Sequence, residues 1–172
     1  NEGGYIPANW LPVFKAALEA GLHIASGLHA RLNDIPELKA LADKKGLTLT
    51  DVRQPNPAIP VGTGIKRSGK RLLTVGTDCA VGKMYTVLAL EKAMRARGMD
   101  ADFRATGQTG IFIAGNGVPI DAVVADFISG AAEYIAPANN AQHWDLIEGQ
   151  GSLFHPSYAA VTLGLVHGSH AD

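Results

Sequence analysis

Arg71-Leu-Leu-Thr-Val75 followed by Gly76-Thr-Asp-Cys-Ala-Val-Gly-Lys-Met84 decides the fold. The first five residues form a short apolar, β-branched run of the kind that a buried parallel strand requires. The glycine-flanked stretch behind it reads as a phosphate-binding P-loop of the G-x-x-x-x-G-K type, in which backbone N–H groups wrap a phosphate and a lysine ammonium closes on it. Lys83 then opens a helix that runs to Arg97. Val87, Leu88, Leu90 and Met94 form its buried face, Arg95 and Arg97 suit its C-terminal end, and Gly98 suits the C′ position. The loop amides thus stand at a helix N-terminus, whose dipole favours an anion. Gly76, Thr77, Asp78, Cys79, Ala80, Val81, Gly82, Lys83 and Met84 are the candidate cofactor-binding residues.

Met84 breaks the pattern. A Ser or Thr in that place supplies the hydroxyl that ligates the Mg²⁺ of a Mg-nucleotide, and methionine has none. Thr86 lies two residues on, about 200° around the helix, and points away from the phosphate. Thr77, inside the loop, is the better substitute. Cys79 reads as a small residue that fits the turn; the competing reading is a nucleophile or redox switch.

Two more glycine-rich stretches follow strand-like runs. Thr106-Gly-Gln-Thr-Gly110 comes after a strand at Ala101 to Ala105 and is expected as a turn, with Gln108 orienting a substrate group or water. Glu148-Gly-Gln-Gly-Ser152 comes after a strand at Trp144 to Ile147, and Glu148 is placed to ligate Mg²⁺ or take a proton. His155 is a candidate general base, with a structural alternative in which it starts a helix and packs on Trp144 or Phe154. Strands alternating with helices imply a parallel sheet with ligand chemistry at the carboxyl ends of the strands. The expected helices are a long one from Ile120 to Ile135 and a last one from Tyr158 to Val166. Asp121 and Asp126 read as structural, Asp121 near a helix N-terminus. The remaining histidines show no metal-ligand spacing, so no metal site is assigned.

Residues 1 to 52 alternate helix and strand: a helix at Pro12 to Ala20, a strand at Leu22 to Ser26, a helix at Ile35 to Lys45 with Asp34 as N-cap and Gly46 as stop, and a strand at Leu47 to Val52. This resembles the later part of a Rossmann-like domain. Residues 53 to 70, with Pro55, Pro57, Pro60, Gly62, Gly64 and Gly69, read as a linker. The third part, 71 to 172, is the P-loop domain. The first residue is Asn1, and the last, Asp172, follows Gly-Ser-His-Ala with nothing to close the domain, so the chain reads as a fragment cut at both ends.

Composition bounds the partners. The 172 residues are 47% hydrophobic and 18% charged, with net charge −1, which gives no electrostatic case for nucleic acid or an anionic membrane. No apolar run approaches the roughly 20 residues of a transmembrane helix. One cysteine cannot form an internal disulfide, and a reducing cytoplasm is the simplest setting. The sequence leaves homo-oligomerisation open.

Gly76-Thr-Asp-x-x-Val-Gly-Lys83 and Glu148-Gly-x-Gly151 resemble the corresponding loops of dethiobiotin synthetase-type P-loop proteins. The resemblance is closer to a family formerly of unknown function that joins an N-terminal Rossmann-like part to a C-terminal P-loop part. It is carried by Gly76–Met84, Ala105–Gly110, Asp121–Phe127, Glu148–Pro156, Glu2–Pro7 and Gly164–Ser169, and so spans nearly the whole chain. The resemblance implies an α/β fold and a D-glutamate N-acetyltransferase that uses acetyl-CoA, and methionine is the expected residue at 84 in that family. Three functions remain open at this point. An acetyl-CoA-dependent N-acetyltransferase acting on a small-molecule amino acid would grip coenzyme A phosphates through the loop and Lys83, use Glu148 or His155 as base, and orient the substrate with Gln108. An ATP-dependent ligase or kinase would need Mg²⁺. A non-catalytic nucleotide-binding protein would bind without turnover.

Overall fold

The computed structural model describes residues 4–55 and 58–172; Asn1, Glu2, Gly3 and the linker residue Pro57 lie outside the described residues. Two compact units divide the chain, residues 1–54 and 55–172. Each is an α/β unit built on a parallel sheet.

In the first unit, helix α1 (Leu11–Glu19) leads to strand β1 (Ile24–Ser26), and helix α2 (Pro36–Lys45) leads to strand β2 (Leu49–Asp51). The strands pair in parallel, Ile24 with Leu49 and Ser26 with Asp51. Leu18, Leu32, Leu38, Ala42 and Leu49 form the core. Gly46 ends α2 in the left-handed region at φ 66°, where a side chain is strained. The helix start differs from expectation. Asp34 does not cap α2: Ile35 occupies that place without a side-chain bond, and Asp34 closes a 3₁₀ turn (Leu32–Asp34) beside Arg31. The capping carboxylate is Asp51, distant in sequence. It accepts the N–H groups of Leu32 and Asn33 at 2.7 and 3.1 Å.

The second unit holds strands β3 (Lys70–Leu73), β4 (Ala101–Arg104) and β5 (Trp144–Ile147), in the order β3-β5-β4. Leu72, Leu146 and Phe103 share one row across the sheet. They pack with Val87 of helix α3 (Lys83–Arg95). Ile147 and Leu73 belong to the opposite cluster, which contains helix α5 (Ile128–Ile135) and Leu165 of helix α6 (Ala159–Ser169). Alternation along β5 therefore serves two helical layers, and all three strands end toward one rim.

Two features of this unit correct the expectations, and a third adds to them. The stretch 120–135 is not one helix. Two 3₁₀ turns (Ile120–Ala122 and Ala125–Phe127) precede α5, and Val123 and Val124 between them are extended, with ψ 133° and 138°. Paired β-branched side chains resist a helical path, and Asp121 sits in the first of these turns. Thr106–Gly110 is not a turn: Gly107 caps helix α4 (Gln108–Ala114). Residues 58–69, within the stretch read as a linker, contain no helix or strand, and they pack against the rest of this unit. Ile59 joins its core, Glu133 accepts the N–H groups of Thr63 and Gly64, and Arg67 donates to the carbonyls of Ala136 and Gly168. Burial would push the Glu133 carboxyl up; the Thr63 and Gly64 bonds and the Arg67 charge outweigh it and hold the group below its usual range.

Candidate functional site

At the carboxyl ends of β3 and β5, an open pocket of about 320 Å³ lies between the loop Gly76–Gly82, the start of α4 and the loop Glu148–Gly151. The loop after β3 is one residue longer than the pattern read from sequence. Five residues, Thr77 to Val81, separate Gly76 from Gly82, so Thr77 stands where that pattern has its first glycine. Gly82 takes φ 97° at the N-terminus of α3, and a Cβ built on it meets nothing within 4 Å. Backbone thus faces open space at the point where a phosphate cradle needs it.

The nine candidate loop residues separate into two groups. Cys79, Ala80, Gly82, Lys83 and Met84 line the pocket. Gly76, Thr77, Asp78 and Val81 do not; the first three secure the loop. The Gly76 carbonyl accepts the N–H of Leu153 at 2.9 Å, the Thr77 carbonyl accepts the Ser152 hydroxyl at 2.9 Å, and Asp78 Oδ1 accepts the N–H of Cys79 at 2.7 Å. Met84 turns partly into the core beside Leu72 and Leu88. Thr86 is not among the lining residues.

Lys83 is the only Lys or Arg among the lining residues. Its ammonium donates to the Asp78 carbonyl at 2.8 Å, and among the described residues it has no carboxylate partner. A cation beside a loop of amides, held only by a neutral carbonyl, fits an incoming anion.

Glu148 ends β5, the central strand, and is 2% exposed. Its Oε2 accepts the N–H groups of Thr106 and Gly107 at 2.8 and 2.9 Å, and its Oε1 accepts Gln150 Nε2 at 3.2 Å. Burial pushes its carboxyl above the usual carboxylate range, and these three bonds offset only part of that rise. Two glycines make room at the site, one for the carboxyl and one for the strand end beside it. A Cβ on Gly110 would stand 2.2 Å from Glu148 Oε2, and one on Gly149 would stand 1.6 Å from the Thr74 carbonyl oxygen and 3.2 Å from Lys83 Cδ. The glycines of Thr106–Gly110 thus serve the carboxylate slot, and Gly149 lets the Lys83 stem cross the strand end.

Gln108 lines the pocket as the first residue of α4. His155 does not line it. Its Nδ1 accepts the N–H of Ser157, and its ring packs on Tyr158 with centroids 4.8 Å apart, not on Trp144 or Phe154. The structure therefore brings Lys83, Gln108 and Glu148 together and leaves His155 outside as a residue that starts a 3₁₀ turn (Pro156–Tyr158). Sequence reasoning passed over Gln150 and Ser152. Ser152 is fully buried and ties the Glu148 loop to the phosphate loop by donating to Thr77 and accepting from Phe154 and His155. The signal was present in Glu148-Gly-Gln-Gly-Ser152, where polar residues alternate with glycine.

Among the described residues, no group of three or more His, Cys, Asp or Glu side chains is arranged to hold a metal ion, and no helix is long and apolar enough to cross a membrane.

Comparison with known proteins gives a consistent picture. Residues 60–172 match a family model described as a domain of unknown function (DUF1611_C), P-loop domain, and residues 1–55 match the DUF1611_N Rossmann-like domain. Two relatives named D-glutamate N-acetyltransferase, from a Pseudoalteromonas species and from Tritonibacter scottomollicae, are each 58% identical over all 172 residues, which cover 52% of each relative. The crystal structure of a DUF1611 family protein from Anabaena variabilis superimposes with a TM-score of 0.91 at 42% identity, over 99% of this chain and 50% of that one. The chain spans about half the length of the relatives it matches.

Proposed function

The chain belongs to the DUF1611 family, with both its Rossmann-like and its P-loop domain, and on that premise we propose that it forms the phosphate-gripping and proton-accepting part of an acetyl-CoA-dependent N-acetyltransferase whose acceptor is an amino acid, D-glutamate. The observation that carries this reading is the pairing, in one pocket, of an uncompensated Lys83 with a buried Glu148, beside a residue, Met84, that has no hydroxyl for Mg²⁺. The names of the two 58%-identical relatives support the choice of acetyl transfer and of D-glutamate.

Acetyl-CoA, when bound, supplies a thioester acetyl group and phosphates that need no metal to be held. The loop amides and Lys83 grip those phosphates. Glu148 takes the proton that the acceptor ammonium must lose before its nitrogen can attack the thioester carbonyl; the new N–C bond forms, the C–S bond breaks, and a second N–H proton passes to the departing sulfur, which leaves as the free thiol. A carboxyl raised by burial is a stronger base than an exposed one, which suits proton removal from an amine. Gln108 orients the acceptor from the start of α4.

A Mg-ATP-dependent reaction is the second reading. One observation favours it: a carboxylate, Glu148, at the end of the strand beside the phosphate loop. It predicts that turnover stops in EDTA. The deciding experiment follows thiol release from acetyl-CoA by the full-length protein on addition of D-glutamate, with EDTA present throughout. Release that requires D-glutamate and survives EDTA supports acetyl transfer; no release without Mg²⁺ and ATP overturns it.

A further inference from the structure

Glu148 Oε2 is saturated, because it already accepts two backbone N–H groups. Oε1 accepts one bond, from Gln150 Nε2, and keeps a lone pair. A carboxylate can only accept, so the nitrogen end of the Gln150 amide must face Glu148 and its carbonyl oxygen must face the other way. Among the described residues that oxygen has no hydrogen-bond partner, and Gln150 lines the pocket. Gly107 and Thr162 hold the residue on its other flanks, one at the side chain and one at the backbone. A Cβ on Gly107 would stand 2.4 Å from Gln150 Nε2, so that glycine gives the amide its seat. The Gln150 backbone carbonyl accepts the Thr162 hydroxyl at 2.7 Å.

We propose that Gln150 is a substrate-binding residue for the acceptor amine: its side-chain carbonyl oxygen and Glu148 Oε1 form a two-acceptor subsite for a primary ammonium group. This rests on the acetyl-transfer reading above. A primary ammonium carries three N–H donors. One faces Glu148 Oε1 and is the proton that leaves; a second is held by Gln150. After that proton transfers to Glu148, the nitrogen keeps two N–H bonds and gains a lone pair. Gln150, still holding one N–H, fixes where the lone pair points. The same amide, donating to Glu148, steadies the carboxylate that receives the proton.

The test uses two variants of the full-length protein and separate KM values for the amino acid and for acetyl-CoA. Gln150→Met keeps the length and removes both the acceptor and the donor. Its KM for the amino acid should rise about tenfold or more, the loss of one hydrogen bond to a charged group, while the KM for acetyl-CoA stays within about twofold. Gln150→Glu keeps an acceptor oxygen but sets a second carboxylate beside Glu148. Like charges so close raise a carboxyl pKa, so the acidic limb of the kcat/KM profile should move up by about one pH unit or more. An unchanged amino-acid KM in Q150M, an equal rise of both KM values, or an unmoved limb in Q150E overturns the proposal. Should Q150M fail to fold, the Q150E limb decides alone. Wild-type protein that acetylates no amino acid refutes the acetyl-transfer reading and the subsite with it; an active wild type with unaffected variants refutes the subsite alone.

Discussion

Replacing Glu148 by glutamine separates the structural role of this side chain from its chemical one. The volume is kept and the charge is lost. The new carbonyl oxygen can accept both N–H groups that now reach Oε2, at 2.8 and 2.9 Å. The new Nε2 takes the place of Oε1 and donates to Gln150 once that amide turns over, so no buried polar atom is orphaned. Stability should therefore hold. Burial raises the wild-type carboxyl, so from the ordinary glutamate value of 4.5 up to the higher folded value the folded state binds more protons than the unfolded chain. Wild-type stability then falls as pH rises through that window and stays reduced above it. E148Q lacks this loss. Urea denaturation should show it at least as stable as wild type at neutral pH, with the relative gain vanishing below 4.5. Catalysis should collapse. Removing a general base costs about 10²–10⁴ in rate, or about 3–5 kcal/mol of barrier, while the KM for acetyl-CoA stays within about twofold because Lys83 and its loop are untouched. A kcat within about threefold of wild type would refute the proton-acceptor role, and a marked loss of stability would refute the hydrogen-bond geometry.

Two further outcomes test the packing. Gly149→Ala places a Cβ 1.6 Å from the Thr74 carbonyl oxygen, so it should destabilise by about 1–3 kcal/mol or more. Gly98→Ala, at φ 76° with nothing within 4 Å, should cost only the left-handed strain of about 1–2 kcal/mol; denaturation midpoints of the pair should rank accordingly. Glu133→Gln removes a carboxylate that Thr63, Gly64 and Arg67 hold below its usual range despite burial. That depressed group contributes stability above 4.5 that is lost as pH falls through its folded pKa, so E133Q should be less stable at neutral pH by about 1.5–3 kcal/mol and should show a flatter acid limb in a stability–pH series.

Local signals carried much of this architecture. Trp144–Ile147 is a strand because its apolar run is short and ends in Glu-Gly, and α3 follows the phosphate loop because Lys83–Arg95 has helical spacing of apolar residues. The misreadings arose where distant contacts decide. Asp51 caps a turn 18 and 19 residues away, which no local pattern announces. At the site, the glycines were legible as room for a ligand, but Gly110 and Gly107 make room for Glu148 and Gln150. The bonds of the Ser152 hydroxyl to the Phe154 and His155 amides fix a turn that carries His155 outside the pocket, a geometry that residue type alone does not announce.

In the proposed reading, the Gly76–Met84 loop and Lys83 grip phosphates without Mg²⁺. Thermal unfolding of the full-length protein with acetyl-CoA or with ATP, each in Mg²⁺ and in EDTA, tests it most directly. A ligand at 100 times its Kd adds about 2.7 kcal/mol to the folded state, a readable rise in Tm. Acetyl-CoA should raise Tm equally in Mg²⁺ and EDTA, and Lys83→Ala should abolish the rise. Stabilisation by ATP only with Mg²⁺, and none by acetyl-CoA, would contradict that reading.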